Sequence, residues 1–184
     1  MQQLPDEQEL VARARQGDEE AVALLYETHV DSIFAYLLYR VPSDSVAEDL
    51  TSEVFLRMVR GLPGFQDRGL PFRAWLFRVA ANLLTDHYRQ HGKNPVAPVS
   101  EEHESDDTDP FDTVAREDEQ FRLRLAIGKL PQDYQQLLLL RFVEGLPHTE
   151  ITQIMNKSAE ALRAMQHRAL KALAEQLESL GGAP

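Results

Sequence analysis

HTEITQIMNKSAEALRAMQHRALKALAEQLESL, from His148 to Leu180, carries two helical periodicities separated by a polar break. Its periodicity gives a short helix from His148 to about Met155, a polar break at Asn156, Lys157 and Ser158, and a last helix from Ala159 to about Leu180. A short helix, a tight turn and a longer helix form the layout of a helix-turn-helix, whose second helix can enter a major groove. The last helix carries Arg163, His167, Arg168 and Lys171, and Glu160 is the only acid between Ser158 and Ala174. Such a density of cations suits phosphate and guanine contacts. Taken alone it also fits a solvated amphipathic helix.

Upstream of this motif the pattern stays helical. Phe121 to Lys129 opens the C-terminal piece, Leu130–Pro131 breaks it, and a helix continues from Gln132 to about Glu144 before the Gly145–Pro147 turn. At the other end of the chain, helices are expected from Glu7 to Gln16 and from Asp18, as cap, to about Arg40. A third starts at Ser43 or Asp44 and runs to Gly61, and a fourth covers Phe72 to Gln90. On the third, Val46, Leu50, Val54, Phe55, Met58 and Val59 recur at three- and four-residue intervals. No stretch shows the alternation of a strand. The fold expected is all-α: a helical bundle over residues 1–93 and a helix-turn-helix domain over 121–184.

Between them, NPVAPVSEEHESDDTDPFDTVAREDEQ (94–120) has three prolines and few large apolar residues. It reads as an acidic, flexible linker, its end from Thr113 entering the next helix. The net charge of −11 divides unevenly. Residues 1–93 hold 10 Lys/Arg against 14 Asp/Glu, residues 94–120 hold 1 against 10, and residues 121–184 hold 8 against 6. Most of the acidity therefore sits in the linker and says little about what the flanking pieces bind. The linker is expected to compete for the basic faces, so that the free chain binds DNA weakly.

Other function classes are poorly served. With 43% hydrophobic and 27% charged residues the chain is ordinary globular material. It has no cysteine, hence no disulfide, thiolate zinc site or cysteine nucleophile. No uninterrupted apolar run approaches the roughly 20 residues that span a bilayer, and no signal peptide is visible, so a cytoplasmic protein without membrane insertion is expected. His87 and His91 stand four apart on a helix, but no glutamate follows the first as in zinc proteases, and no metal or other cofactor is expected. No nucleophile elbow or glycine-rich phosphate loop is present, so no enzyme is expected.

The fourth helix repeats the basic character of the last. Arg73, Arg78, Arg89 and Lys93, with His87 and His91, face a single acid, Asp86, and Phe65, Phe72, Trp75, Phe77 and Tyr88 are interleaved. Cations supply a track for phosphates and exposed rings supply faces for unpaired bases, a combination suited to single-stranded nucleic acid. Phe72 and part of Trp75 are expected in the core, whereas Phe65 and Tyr88 are less easily buried.

Two basic helical modules joined by an acidic linker resemble the extracytoplasmic-function (ECF) type of bacterial RNA polymerase sigma factor, which keeps the second and fourth conserved regions of the sigma-70 family. The likeness lies in GDEEAVALLYETHVDSIFAYLLYRV (Gly17 to Val41), AEDLTSEVFLRMVRGL (Ala47 to Leu62), FRAWLFRVAANLLTDHYR (Phe72 to Arg89) and LPQDYQQLLLLRFVEGLPHTEI (Leu130 to Ile151). It implies a factor that binds core RNA polymerase and directs promoter-specific initiation. Residues 1–93 would then be region 2, docking through Asp49, Glu53, Arg57 and Arg60 on the clamp helices of the largest subunit. Phe65, Arg73, Trp75, Arg78, Asn82, Tyr88 and Arg89 would melt and read the −10 element, with Phe65 at a flipped-base pocket. Residues 121–184 would be region 4, reading the −35 element through Arg163, Ala164, His167 and Arg168, with Lys171 on a phosphate. The flap of the second-largest subunit and an anti-sigma factor are the other partners implied. The chain departs from the family pattern in the turn, where Asn156 replaces the usual glycine, and at Glu160–Ala161–Leu162. A two-domain helix-turn-helix regulator that binds duplex DNA alone is the rival reading.

Overall fold

The computed structural model describes residues 6–67, 69–92 and 110–181, with side chains from 119 onward in the last span. Eight α-helices run α1 (Glu7–Ala14), α2 (Glu19–Leu38), α3 (Asp44–Gly61), α4 (Phe72–His91), α5 (Pro110–Gly128), α6 (Gln132–Leu138), α7 (His148–Met155) and α8 (Ala159–Gly181), and no strand occurs among the described residues. The fold is all-α, as the periodicity requires.

The helix starts follow their caps. Asp18 accepts from the Ala21 amide at 3.2 Å and Ser43 from the Val46 amide, each satisfying a donor that a helix N-terminus leaves without an internal partner. Between α7 and α8, Asn156 takes the left-handed conformation at φ 52°, ψ 50°, where an asparagine is one of the few tolerated residues.

Two expectations change. Helix α5 begins at Pro110, so residues 110–120 of the supposed linker are helical; proline suits a first helical position, where its missing N–H has no partner to lose. The competition of the linker for basic faces falls mainly on residues 94–109, outside the described residues. The helix expected to reach Glu144 is α-helical only to Leu138, and Leu139–Val143 widens into a π-helical turn. There the Glu144 amide reaches back five residues to the Leu139 carbonyl at 3.0 Å.

In the N-terminal bundle, α2 supplies Leu25, Ile33, Tyr36 and Leu37, α3 supplies Leu50, Val54 and Met58, and α4 supplies Leu76, Phe77, Ala80 and Leu84, all buried. Each large side chain so removed from water contributes about 1.5–3 kcal/mol. Helix α2 is long and apolar enough by composition to cross a membrane, with a mean hydropathy of 1.2, yet its apolar stripe faces this core. In the C-terminal half, Leu162, Met165 and Ala169 of α8 pack inward, and Gln135 donates to the carbonyls of Gly128 and Leu130, closing the end of α5.

The two halves touch. Leu139, Leu140, Leu146 and Ile151 join the apolar cluster of the first bundle. Around them, Arg73 donates to Glu144, Gln153 donates to the Gly69 carbonyl at 2.8 Å, and Arg124 lies 3.6 Å from Asp44.

Candidate nucleic-acid interface

Helix α4 sorts its polar residues by angle. At 100° per residue, Trp75, Arg78, Asn82, Asp86 and Arg89 fall on one side. Arg78, Asn82 and Arg89 are exposed there, and Trp75 is half-buried. Arg89 pairs with Asp86 at 3.4 Å across i,i+3, as the spacing allows, while its side chain stays 74% exposed. The strip therefore offers two cations, an amide and a partly open indole in line.

Arg73 and Tyr88 do not join it. Arg73 projects from the opposite side of α4, where Nη2 donates to the Glu144 backbone carbonyl at 2.7 Å and to its carboxylate at 3.2 Å. Tyr88 faces the bundle and donates its hydroxyl to the Arg40 carbonyl. Helical phase alone separates both from Asn82, a signal that the residue count in a basic segment conceals.

Phe65 also differs from expectation: it is buried, 8% exposed. The single 3₁₀ turn Leu62–Gly64 folds the loop back, and the Phe65 ring packs on Phe72 and Trp75 with centroids 5.7 and 5.1 Å away. Trp75 reaches this cluster by lying against Gly61, where any Cβ would come within 3.0 Å of the indole. One edge of Phe65 still lines a cavity of about 330 Å³ with Val11, Arg15, Asp67, Pro71 and Phe72. Phe72 is core, as expected.

On α8 the phase works for all five candidates. Arg163, Ala164, His167, Arg168 and Lys171 are exposed while Leu162, Met165 and Ala169 point inward. The preceding α7 is fixed against this helix by His148, whose Nε2 lies 2.7 Å from Gln166 Oε1. At the other end, the Ser158 hydroxyl accepts from the Ala161 amide and so caps α8.

On α3, Asp49, Arg57 and Arg60 are exposed, and Glu53 pairs with Arg57 at 2.9 Å. Between them the chain exposes two apolar side chains, Leu56 at 51% and Val59 at 49%. Val59 was expected on the buried stripe; Leu50, Val54 and Met58 define that stripe and leave Val59 outside it. Leu56 and Val59 add an apolar centre to a face that charge counting describes as purely polar.

Comparison with known proteins bears on this arrangement. Residues 25–94 match the model of Sigma-70 region 2 and residues 120–173 that of Sigma-70 region 4. The ECF RNA polymerase sigma factor SigD of Mycobacterium tuberculosis is 32% identical over 178 residues, covering 94% of this chain and 84% of that protein. The chain belongs to the ECF sigma factors. The ECF sigma factor BldN of Streptomyces coelicolor is 34% identical over 171 residues, spanning 92% of this chain and 65% of BldN. Among solved structures, CnrH in complex with the cytosolic domain of CnrY superposes with a TM-score of 0.71 at 23% identity, over 94% of this chain and 97% of that one, a likeness of fold. In family terms, the strip on α4 of this sigma factor lies in region 2 and the exposed residues of α8 in region 4.

Proposed function

We propose that this chain recruits core RNA polymerase to promoters whose −10 and −35 elements it reads with two different helices. The observation that carries the reading is the pair of exposed polar strips, Arg78–Asn82–Arg89 on α4 and Arg163–His167–Arg168–Lys171 on α8, within matches to regions 2 and 4. On α8 the cations contact phosphates and base edges in a duplex major groove. On α4, Asn82 both donates to and accepts from an unpaired base, Arg78 and Arg89 follow the backbone, and Trp75 with Phe65 supports the opened strand.

Asp49, Glu53, Arg57 and Arg60, around Leu56 and Val59, form the docking face for the clamp helices of the largest subunit. An apolar centre within a charged rim is the usual anatomy of a protein interface. The flap of the second-largest subunit meets the C-terminal half, where Phe142 and Val143 are exposed. An anti-sigma protein is a further partner; the sigma factor RpoE of Bartonella quintana is known in complex with the anti-sigma factor NepR. The work is done in the cytoplasm, calls for no cofactor and uses no catalytic group of this chain.

Permanganate reactivity of promoter thymines tests the reading. Reactivity around −10 is expected only with core polymerase and this chain together, and it is lost in Asn82→Ala while core binding persists. DNA binding without polymerase, and no opening with it, would instead favour the plain duplex-binding regulator.

A further inference from the structure

The 330 Å³ cavity beside Phe65 has a wall that the DNA assignments above leave unused. That wall is α1, which lies wholly before residue 25, where the match to region 2 begins. Gln8, in the first turn of this helix, and Arg15, its C-cap, are i and i+7 in the chain, and both are exposed. The opposite wall is Phe65, Asp67 and Phe72.

Helix α1 is fixed in this position. Buried His29 places Nε2 2.8 Å from Glu7 Oε1, and its ring lies 5.6 Å from that of Phe72. Leu10, Val11 and Ala14 of the same helix are buried in the bundle. Gln8 thus lines the same cavity as Phe65.

The chemistry of the cavity suits a base more than a phosphate. Its volume is at the lower end of ligand pockets, about 300–1,000 Å³. The Phe65 and Phe72 rings give an apolar side, and Asp67, one of whose oxygens accepts from the Gly69 amide at 3.1 Å, keeps its other oxygen for a base amino group and repels a phosphate. A glutamine amide can pair in two places with an adenine edge. Arg15, at the C-cap of α1, lines the same cavity and is placed for the backbone of the same nucleotide.

We infer that Gln8 of α1 and Arg15 at its C-cap form the second wall of a pocket for one extruded base of the opened strand, with Gln8 a specificity-determining residue and Arg15 a phosphate contact. This rests on the proposed reading of α4 as the −10 surface.

The test is affinity of reconstituted holoenzyme for forked DNA with an unpaired −10 segment, each unpaired position carrying all four bases in turn. Gln8→Ala is expected to lose about 5- to 100-fold of discrimination at one position only. Arg15→Ala is expected to weaken all sequences alike and to reduce the slope of log affinity against log salt by about 0.7. Core affinity should not change in either. Asn82→Ala serves as the control. If it flattens the base profile while Gln8→Ala leaves the native profile, the role of α1 is overturned and the α4 reading stands; if neither variant alters the profile, both are overturned.

Discussion

Arg73 of α4 and Glu144, 71 residues later at the end of the π-helical turn, are joined by two hydrogen bonds, 2.7 Å to the glutamate carbonyl and 3.2 Å to its carboxylate. The carboxylate is nearly inaccessible, 4% exposed. A buried pair of this kind adds little net stability over an apolar substitute, because desolvation offsets attraction, but removing one partner strands the other. Its effect here is to fix the register in which Leu139, Leu140, Leu146 and Ile151 meet the first bundle.

Arg73→Ala should therefore lower the unfolding free energy by about 1–3 kcal/mol, the cost of leaving a buried acceptor unsatisfied. Glu144→Gln, which keeps an acceptor and removes the buried charge, should cost much less. Denaturant unfolding of the two variants checks the order. Arg73→Ala should also leave strand opening nearly intact compared with Asn82→Ala, since the two project from opposite sides of α4.

The same carboxyl gives a pH dependence. Burial raises Glu144 above its ordinary value of 4.5, with Arg73 and Ser32 pulling it back only in part. The folded state thus holds a proton that the unfolded state releases, so this contribution is complete below pH about 4.5 and is lost as pH rises through the raised value. Glu150, also raised by burial and countered by Arg73, titrates in the same direction. Native stability minus that of Glu144→Gln should fall as pH is raised from 4 to 7; a flat difference would show that the carboxyl feels no net burial.

At the turn between α7 and α8, Asn156→Ala should destabilise the chain by about 1–2 kcal/mol, because alanine has no polar side chain to offset the left-handed backbone. Asn156→Gly should be close to neutral. Thermal unfolding of both variants separates backbone strain from a lost side-chain contact, which would make glycine as harmful as alanine.

Phe65→Ala should cost about 3–5 kcal/mol, the range for emptying a buried phenylalanine site, so its effect on opening is mixed with stability. Phe65→Leu, which retains most of the volume, is the informative change. It should fold, bind core polymerase and show weakened permanganate reactivity.

Much of this was legible in the sequence. Most helix positions, the Asp18 and Ser43 caps, the left-handed Asn156 and the inward Leu50, Val54 and Met58 follow from local rules, and the structure agrees; the start of α5 and the π-helical turn are the exceptions. What failed was long-range. Nothing near Phe65 in sequence announces that a 3₁₀ turn folds it onto Phe72 and Trp75, and nothing near Arg73 points to Glu144. Tyr88 and Val59 are different, since the phase of their own helices already separates them from the faces to which they were assigned. The wall formed by α1 required the fold, because Gln8 and Phe65 are 57 positions apart.

The central claim is that one chain reads two promoter elements for polymerase. Run-off transcription with purified core polymerase on a pool of random promoters, with and without this protein, tests it most directly. The account predicts enriched templates that share two motifs at a fixed spacing, and loss of dependence on the upstream motif in Arg168→Ala. Initiation unchanged by a folded, core-bound protein would contradict it.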